Sequence, residues 1–319
     1  MASPDVSNWV PTTLVLGPGG IKGFLILGAL LVFEKAGYLD RIHRFVGVSV
    51  GAVISLMLVA GYTVTEIIAE ALDTNLFQDI SCINLSEIKN NIGLISNANI
   101  KDRLITRMED KFGFVPTLNQ LYMATGKCLV SVAMNLDKGQ PEYMSYETEP
   151  NISSVDAALL SMNIPLIFYK LKYKGCVYID GAFGDPYPVK KYDDNKTDIL
   201  GIYITDENPN HHVPVDSNPI LYLYKILDCQ MTRNRKISKM IASPRCKHLE
   251  LFTSTIDTIG ITVDIQGKTQ MVLSGYTAAQ KFLSNMSTED VIVYEGTEKV
   301  SLVPGDDIQT PTEEPFDES

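Results

Sequence analysis

An uncharged stretch of 21 residues, Phe45–Thr65, constrains the fold of this chain more than any other feature. It reaches the length of about 20 residues that a membrane-spanning helix needs, and Gly47 and Gly51 have the spacing of small residues where such helices pack together. The same residues fit a buried strand, Arg44–Val48, followed by a tight turn and a buried helix, Val50–Ala60. We expect the strand, the turn and the helix, and a membrane span at 45–65 stays open as the alternative.

Further strand and helix patterns extend this arrangement along the chain. Apolar runs predict strands at Thr12–Leu16, Cys128–Met134, Glu142–Ser145, Cys176–Ile179, Ile199–Ile204 and His248–Phe252. Helical spacing predicts helices at Phe24–Lys35, Asn99–Lys111, Thr117–Gly126, Ser154–Met162, Pro219–Met240 and Thr269–Leu283, the second and third of them with Asn99 and Thr117 as N-caps. Strands that alternate with helices predict an α/β fold with a central, mostly parallel sheet and helices on both faces.

Charge is distributed unevenly along the chain. The formal net charge is −11, and residues 286–319 contain ten acidic residues and one lysine, so that residues 1–285 carry a net charge of only −2. A nearly neutral body lacks the basic face that nucleic-acid binding requires, whereas a lipid surface would not repel it. We expect no nucleic-acid partner, and an acidic, partly disordered C-terminal tail.

The five cysteines are scattered and include no C-x-x-C pair, so neither a zinc site nor a redox pair is predicted. An odd number of scattered cysteines is typical of a reducing compartment. The first eleven residues contain neither the basic nor the apolar region of a secretory signal. We expect an intracellular protein that is cytoplasmic or peripherally associated with a membrane, is not secreted, and needs no metal or organic cofactor.

The uncharged stretch contains the pattern G-x-S-x-G, formed by Gly47, Ser49 and Gly51, between the predicted strand and helix. This pattern is typical of a nucleophile elbow, in which a serine is held in a strained turn and glycines let neighbouring backbone come close. The N-terminus of the following helix would direct free N–H groups and partial positive charge at a developing oxyanion. Such a short pattern also arises by chance in a core rich in glycine and valine.

A second glycine-rich turn, GPGGIKG at residues 17–23, follows the first predicted strand. Consecutive glycines leave backbone N–H groups open to an anion. A dinucleotide-binding turn would need glycine where Lys22 stands, and a P-loop would need Gly-Lys-Ser or Gly-Lys-Thr. A simple tight turn and an anion-binding loop both remain open.

The third feature, Asp180-Gly181-Ala182, comes directly after the predicted strand Cys176–Ile179. A carboxylate at the carboxyl end of a strand lies where open α/β sheets bind their ligands. Asp-Gly is also a common turn dipeptide, so these residues alone favour a turn.

Together these motifs resemble one family. Over residues 12–205 the chain is similar to patatin-like phospholipase domains: GPGGIKG resembles the glycine-rich block of that family, GVSVG its elbow and DGA its catalytic-aspartate motif. Pro116–Ser145 is similar in layout to its central helix–strand segment, and ALLSMNIPLIF, Ala158–Phe168, to its Ala/Ser-rich helix that ends in proline and an aromatic residue. The order of the five blocks is more specific than any one of them.

The resemblance implies roles for individual residues. Ser49 is the expected nucleophile and Asp180 its base, in a dyad without histidine, and the amides of Gly19 and Gly20 are the expected oxyanion donors. Lys22 stands where the family has arginine or lysine. The residues expected to support these motifs are Gly17, Gly23, Gly47, Gly51, Gly181 and Ala182.

Two departures from the family pattern and the chemistry of a lone carboxylate qualify these roles. Pro18 stands where the family usually has glycine and has no N–H to donate, so an oxyanion hole would rely on the neighbouring amides. Ala182 replaces the commoner second glycine after the aspartate. An aspartate ordinarily has a pKa near 4, so burial among apolar residues would have to raise the pKa of Asp180 for it to act at neutral pH.

The activity implied by the resemblance is hydrolysis of fatty-acyl esters of (lyso)phospholipids or acyl glycerols through an acyl-serine intermediate, with the lipid met at a membrane or aggregate surface. The implied organisation is an N-terminal extension (1–11), a patatin-like catalytic domain (12–205), a C-terminal helical region packing on it (206–285) and the acidic tail (286–319). Two alternatives stay open. One is a Ser–His–Asp esterase or lipase that uses His248, and the other is a non-catalytic lipid-binding or membrane protein with the span at 45–65.

Overall fold

Short apolar strands form the sheet at the centre of the computed structural model, which describes residues 9–73, 91–206, 219–253 and 263–289. The described strands are β1 (Thr13–Leu16), β2 (Arg44–Val48), β3 (Gly93–Ile95), β4 (Cys128–Asn135), β5 (Gln140–Met144), β6 (Leu166–Phe168), β7 (Leu171–Tyr173), β8 (Cys176–Asp180), β9 (Ile199–Asp206) and β10 (Cys246–Thr253). The described helices are α1 (Gly23–Lys35), α2 (Val50–Val59), α3 (Val64–Asp73), α4 (Ala98–Phe112), α5 (Leu118–Thr125), α6 (Ser154–Ser161), α7 (Val189–Tyr192), α8 (Pro219–Met240) and α9 (Ile265–Glu289). Short 3₁₀ turns lie at Gly20–Lys22, Leu39–Arg41 and Gly181–Phe183.

The central sheet is mostly parallel. Among the described strands, β10, β9, β1, β2 and β4 run parallel in that order. Antiparallel pairing adds β5 and β8 to β4, and β7 to β8. β3 and β6 pair separately as a short parallel ribbon. The predicted α/β fold with a mostly parallel sheet is therefore confirmed.

Helices cover both faces of this sheet. Leu14 and Leu16 of β1 belong to a core that also contains residues of α1, α2 and α9. Val15, between them, belongs to a second core on the opposite face, with Tyr187 and with Met231 of α8. A strand that is buried on both faces has no polar side to present, which explains why residues 14–16 of β1 and 45–48 of β2 are consecutive apolar residues and glycine.

The uncharged stretch Phe45–Thr65 is not a membrane span. The structure divides it into β2, a turn at Ser49, the ten-residue helix α2 and the start of α3. Ser49 has a φ of 58°, which no continuous right-handed helix contains. In the described ranges no helix is both long enough and apolar enough to cross a membrane. The alternative of a span at 45–65 is therefore wrong.

Helix caps account for the small differences between predicted and observed ends. Thr117 caps α5 as predicted, and its hydroxyl and backbone amide exchange hydrogen bonds with Gln120. The prediction for α4 was wrong by two residues: the N-cap is Asn97 rather than Asn99. The reason is that the hydroxyl of Ser96 accepts the amide of Ala98 and so satisfies the first free donor of a helix that begins two residues earlier than predicted.

The C-terminal region supplies both a strand and a long helix. β10 pairs with β9 at the edge of the sheet, and α9 lies along α1 with the two backbones in contact. A Cβ atom at Gly28 would lie 2.0 Å from the carbonyl oxygen of Val272, and one at Gly275 would lie 1.9 Å from that of Leu25, so only glycine allows this approach. The division into four regions stays a prediction, and residues 290–319 of the predicted tail lie outside the described residues.

Candidate active site

The ends of β2 and β8 meet along one edge of β4. β2 runs parallel to β4 and ends with Val48 opposite Val132. β8 runs antiparallel to β4 and ends with Asp180 opposite Ala133, the next residue. β5 pairs with the same stretch of β4 and therefore occupies its other edge. The two strand ends thus point at each other, and they bring Ser49 next to Asp180 although the two are far apart in sequence.

Ser49 occupies the turn between β2 and α2. Its φ of 58° and ψ of −128° are a conformation that costs a residue other than glycine on the order of 1–3 kcal/mol. Glycines on both sides let the turn close: a Cβ atom at Gly47 would lie 2.4 Å from Cα of Ala52, and one at Gly51 would lie 2.5 Å from the carbonyl oxygen of Leu16. The turn has the features of the predicted elbow, and the positive end of α2 starts directly after the serine.

Asp180 is buried at the end of β8. Burial raises the pKa of its carboxyl from 3.8 to about 7, whereas hydrogen bonds from the hydroxyl of Ser49 and from the amide of Ala182 (2.8 Å) lower it by less. Gly181 allows the chain to turn against β4, because a Cβ atom there would lie 2.0 Å from the carbonyl oxygen of Val132. At neutral pH a substantial fraction of this carboxyl is ionised and can accept a proton.

Some backbone amides of the glycine-rich turn donate hydrogen bonds within the chain, and others do not. The amide of Gly17 donates to the carbonyl oxygen of Ile202 at 2.9 Å, and that of Lys22 donates to Gly19 at 2.9 Å, so both are occupied. Within the described part of the chain the amides of Gly19 and Gly20 donate to no backbone or side-chain acceptor. Gly20 is exposed and has a φ of +52°. The two predicted oxyanion donors can therefore still meet an anion, as can the amide of Ile21, which likewise donates to no acceptor within the described part of the chain.

An apolar groove starts where the glycine-rich turn meets the elbow. Gly20, Gly23 and Val50 line this end, and a Cβ atom at Gly23 would lie 3.0 Å from the side chain of Val50. The groove then passes between α1, α2, α3 and α4. The apolar side chains along it include Phe24, Leu27, Val53, Met57, Ile67 and Leu104. Such a surface excludes water and fits a hydrocarbon chain.

Ion pairs join α3 to α4 at the edge of the groove. Glu70 accepts hydrogen bonds from the guanidinium groups of Arg103 at 2.9 Å and Arg107 at 2.7 Å. Arg103 also reaches Asp73, and Arg107 also reaches Asp110. Glu70, Arg103 and Arg107 all line the groove. The charged ends of the arginines are thus neutralised, and their stems contribute to the apolar lining.

Two residues that no motif marked lie at the end of α6, beside the meeting strands. The hydroxyl of Ser161 accepts a hydrogen bond from the amide of Ser49 at 2.9 Å and donates one to the carbonyl oxygen of Val132 at 2.5 Å. The carbonyl oxygen of Asn163 accepts the amide of Asp180 at 2.8 Å. Both residues belong to the block ALLSMNIPLIF, whose pattern indicates a helix and its end but gives no sign of these hydrogen bonds.

His248 is not part of this site. Its Nδ1 atom lies 2.7 Å from the hydroxyl of Tyr187, and burial lowers its pKa to about 4. β9 and β1 separate β10 from β2, which places His248 roughly 14 Å from β2 at a strand spacing of about 4.8 Å. The structure therefore contradicts a triad of Ser49, Asp180 and His248, because the histidine is paired with a tyrosine three strands away.

Possible metal ligands are dispersed. No group of three or more His, Cys, Asp or Glu side chains within the described ranges is arranged to hold a metal ion. The cysteines at 128, 176, 229 and 246 are unpaired thiols. The expectation that no metal or organic cofactor takes part stays a prediction.

Comparisons with known proteins bear on the same residues. A family model described as patatin-like phospholipase matches residues 14–191, more than half of the chain. A protein of Invertebrate iridescent virus 6 named a probable lipid hydrolase is 33% identical over 183 residues, which cover 56% of this chain and 61% of that protein. An uncharacterized protein of Acanthamoeba polyphaga mimivirus is 27% identical over 244 residues, which cover 74% of this chain and 80% of that protein.

A solved structure is similar in fold. The crystal structure of VipD from Legionella pneumophila superposes with a TM-score of 0.54, covering 86% of this chain and 67% of VipD. The two sequences are 14% identical over the superposed residues. At this identity the likeness shows the fold alone.

Proposed function

The chain belongs to the patatin-like phospholipase family, and from this premise we propose that it is a serine hydrolase that cleaves fatty-acyl esters of lipids through an acyl-serine intermediate. The observation that carries the proposal is the contact of Ser49, in a strained turn, with a buried Asp180 whose pKa is raised to about 7. A serine hydroxyl becomes a useful nucleophile when a base takes its proton. A carboxyl with this pKa is suited to that task near neutral pH.

In the first half-reaction the Oγ atom of Ser49 attacks the carbonyl carbon of the ester while Asp180 takes the hydroxyl proton. The electron pair of the carbonyl moves onto its oxygen, where the amides of Gly19 and Gly20 stabilise the negative charge. Each donor of this kind contributes on the order of 10²–10³-fold to the rate. When the carbonyl re-forms, the alcohol leaves with the proton from Asp180, and the acyl group stays on Ser49.

The second half-reaction returns the enzyme to its starting state. A water molecule attacks the acyl-serine while Asp180 takes one of its protons, and the same amides stabilise the second oxyanion. When the ester bond to Ser49 breaks, the fatty acid leaves and the Oγ atom recovers a proton from Asp180. The dyad thus serves both steps, with the aspartate as base and then as acid.

The apolar groove supports an acyl chain as the part of the substrate that is bound. It begins at the proposed oxyanion donors and follows α2 from Val50 to Met57, a helical distance of about 10 Å. Each methylene buried there would stabilise binding by about 0.8 kcal/mol. The substrates that fit are esters of long-chain fatty acids, either (lyso)phospholipids or acyl glycerols, taken from a membrane or aggregate surface.

A fluorophosphonate probe tests the proposal directly. We expect the probe to label the wild-type protein and to fail on Ser49→Ala, because phosphonylation requires an activated serine hydroxyl. Ser55→Ala is the matched control: Ser55 is a fully buried serine of α2 whose hydroxyl has no hydrogen-bond partner among the described residues. It should keep the labelling of the wild type.

Hydrolysis of a long-chain acyl ester completes this test. Ser49→Ala and Asp180→Asn should both lose activity, whereas Ser55→Ala should retain it. A wild-type protein that neither reacts with the probe nor hydrolyses any acyl ester, yet binds fatty acid in the groove, would be a lipid-binding protein and not an enzyme.

A further inference from the structure

The last residues of α6 lie where β2 and β8 meet. α6 packs against α2, β4 and β8. Ser161 ends the helix, and Asn163 follows two positions later. Both side chains are buried, with exposed fractions of 0% and 2%. Water is therefore excluded from them, and the hydrogen bonds that they make have no ready substitute.

The hydroxyl of Ser161 connects the elbow to β4. A hydroxyl has one proton to donate and two lone pairs that accept. The proton of Ser161 goes to the carbonyl oxygen of Val132, so toward the amide of Ser49 the hydroxyl acts as acceptor. The pairing of β2 with β4 ends at Val48, which leaves the next amide without a strand partner. Ser161 supplies that partner and fixes the orientation of the peptide that precedes the nucleophile.

The same segment also holds the base. The carbonyl oxygen of Asn163 accepts the amide of Asp180 at 2.8 Å, and its Nδ2 atom donates to the carbonyl oxygen of Tyr178 at 3.0 Å. Residues 161–163 therefore contact the ends of both strands that carry the dyad. A displacement of this segment would change the distance between the hydroxyl of Ser49 and the carboxyl of Asp180.

We propose that Ser161 is a positioning residue, whose hydroxyl holds Ser49 in its strained conformation and within reach of Asp180. This inference rests on the proposed function of the dyad. A positive φ at a residue other than glycine persists when surrounding contacts over-determine it. Inside this dry site, the hydrogen bond of Ser161 to the amide of Ser49 is such a contact, and it connects the elbow to the strand that also pairs with Asp180.

Ser161→Ala tests the inference. We expect kcat for a long-chain acyl ester to fall about 10- to 100-fold, because a misplacement of the reacting group by about 1 Å can cost on the order of 10²-fold in rate. KM should change little, because Ser161 does not line the groove. The rate of labelling by a fluorophosphonate should fall by a similar factor, since it reports on the nucleophile without requiring a bound lipid.

Ser154→Ala is the matched control for this variant. Ser154 lies on the same helix and is equally buried, but its hydroxyl has no hydrogen-bond partner among the described residues. We expect wild-type kcat and labelling from it. Ser161→Thr keeps the hydroxyl and should recover most of the rate, whereas Ser161→Cys offers only a weak donor and acceptor and should recover less.

Several outcomes would overturn the inference. A folded Ser161→Ala with wild-type kcat and labelling would do so, as would an equal loss in Ser154→Ala. If Ser161→Ala does not fold, equal rates in Ser161→Thr and Ser161→Cys would also overturn the inference. Failure of the proposed function looks different, because the wild type itself would then remain unlabelled or Ser49→Ala would stay active.

Discussion

At the scale of single residues, the carboxyl of Asp180 is subject to opposing effects. Burial disfavours its charged form, while the hydroxyl of Ser49 and the amide of Ala182 favour it, and burial is the larger effect. The carboxyl of Asp180 therefore binds its proton more tightly in the folded chain than in the unfolded chain. Between about pH 4 and 7 the folded protein keeps a proton that the unfolded chain has released, so stability falls as the pH rises through this window.

Asp180→Asn should remove this dependence. The folded pKa lies above the unfolded pKa, so the stabilisation linked to the proton is complete below about pH 4 and is lost as the pH rises through about 7. We expect the free energy of unfolding of Asp180→Asn to exceed that of the wild type at pH 8 by about 2–4 kcal/mol, since one pKa unit corresponds to 1.36 kcal/mol. The difference should shrink towards pH 4, as measured by urea unfolding at both pH values.

Ser49→Ala provides the comparison, because it keeps the ionisable carboxyl and should keep the pH dependence. Parallel stability curves for wild type and Asp180→Asn would contradict the raised pKa. The same ionisation predicts that kcat/KM of the wild type rises with pH through a midpoint near 7, where the carboxyl becomes the base.

At the scale of secondary-structure elements, the face of α2 that lines the groove offers a test of the proposed acyl-chain binding. Val50, Val53 and Met57 lie at positions i, i+3 and i+7 and so share one face of the helix. The helical rise places Val53 about 4.5 Å and Met57 about 10 Å from Val50. A bulky side chain at Val53 would therefore leave room for a short acyl group and obstruct a long one.

Val53→Phe should shift the preference of the enzyme towards short esters. We expect the ratio of kcat/KM for a palmitoyl ester to that for an acetyl ester of the same alcohol to fall at least about 10-fold, because a pocket discriminates by roughly 1–3 kcal/mol for small changes in hydrocarbon fit. Rates over a series of 4-nitrophenyl esters of increasing chain length give this ratio.

A pair of alanines on α3 controls for effects of the substitution itself. Ala71 lines the groove, whereas Ala69 is exposed and does not. Ala71→Phe should lower the same ratio, and Ala69→Phe should leave it at the wild-type value. A uniform change at all chain lengths in Val53→Phe would show that the groove does not hold the acyl chain.

The sequence predicts an element well when a local pattern specifies it, and poorly when contacts with distant residues specify it. β2 and α8 have the predicted bounds, because their patterns are local. β7 was not predicted: it has three residues, with a lysine at its centre, and it exists as a partner of β8. The residues of the proposed dyad lie in recognisable motifs. Ser161, by contrast, makes its hydrogen bonds with residues more than 25 positions away in the chain, and the groove is lined by side chains from four helices. Neither the hydrogen bonds of Ser161 nor the groove is specified by a local sequence pattern.

At the scale of the whole molecule, the last described helix supports the first. α9 packs along α1 through Gly275 and Gly28, where the backbones touch. α1 begins at Gly23, the last residue of the glycine-rich turn. Displacement of α9 would therefore loosen the helix that positions the proposed oxyanion donors, although α9 itself contains none of the proposed catalytic residues.

Gly275→Ala should destabilise the protein even though alanine favours helices more than glycine does. The added Cβ atom would lie 1.9 Å from the carbonyl oxygen of Leu25, and overpacking of this kind typically costs about 1–3 kcal/mol. We expect the melting temperature to fall by several degrees, at about 2–4 °C per kcal/mol for a domain of 150–250 residues. Ser274→Ala, at the exposed neighbouring position, should melt like the wild type. Equal melting temperatures for the two variants would mean that α1 and α9 can separate at little cost.

β2 and β8 meet end to end along β4, and this arrangement has a consequence while the protein is being synthesised. A ribosome completes the serine turn long before it reaches the aspartate, and the strand that brings the two together lies between them in the chain. A nascent chain that ends before Asp180 would therefore carry the proposed nucleophile without its proposed base. On the proposed mechanism, hydrolysis of lipid esters could therefore not begin before the ribosome has made β8.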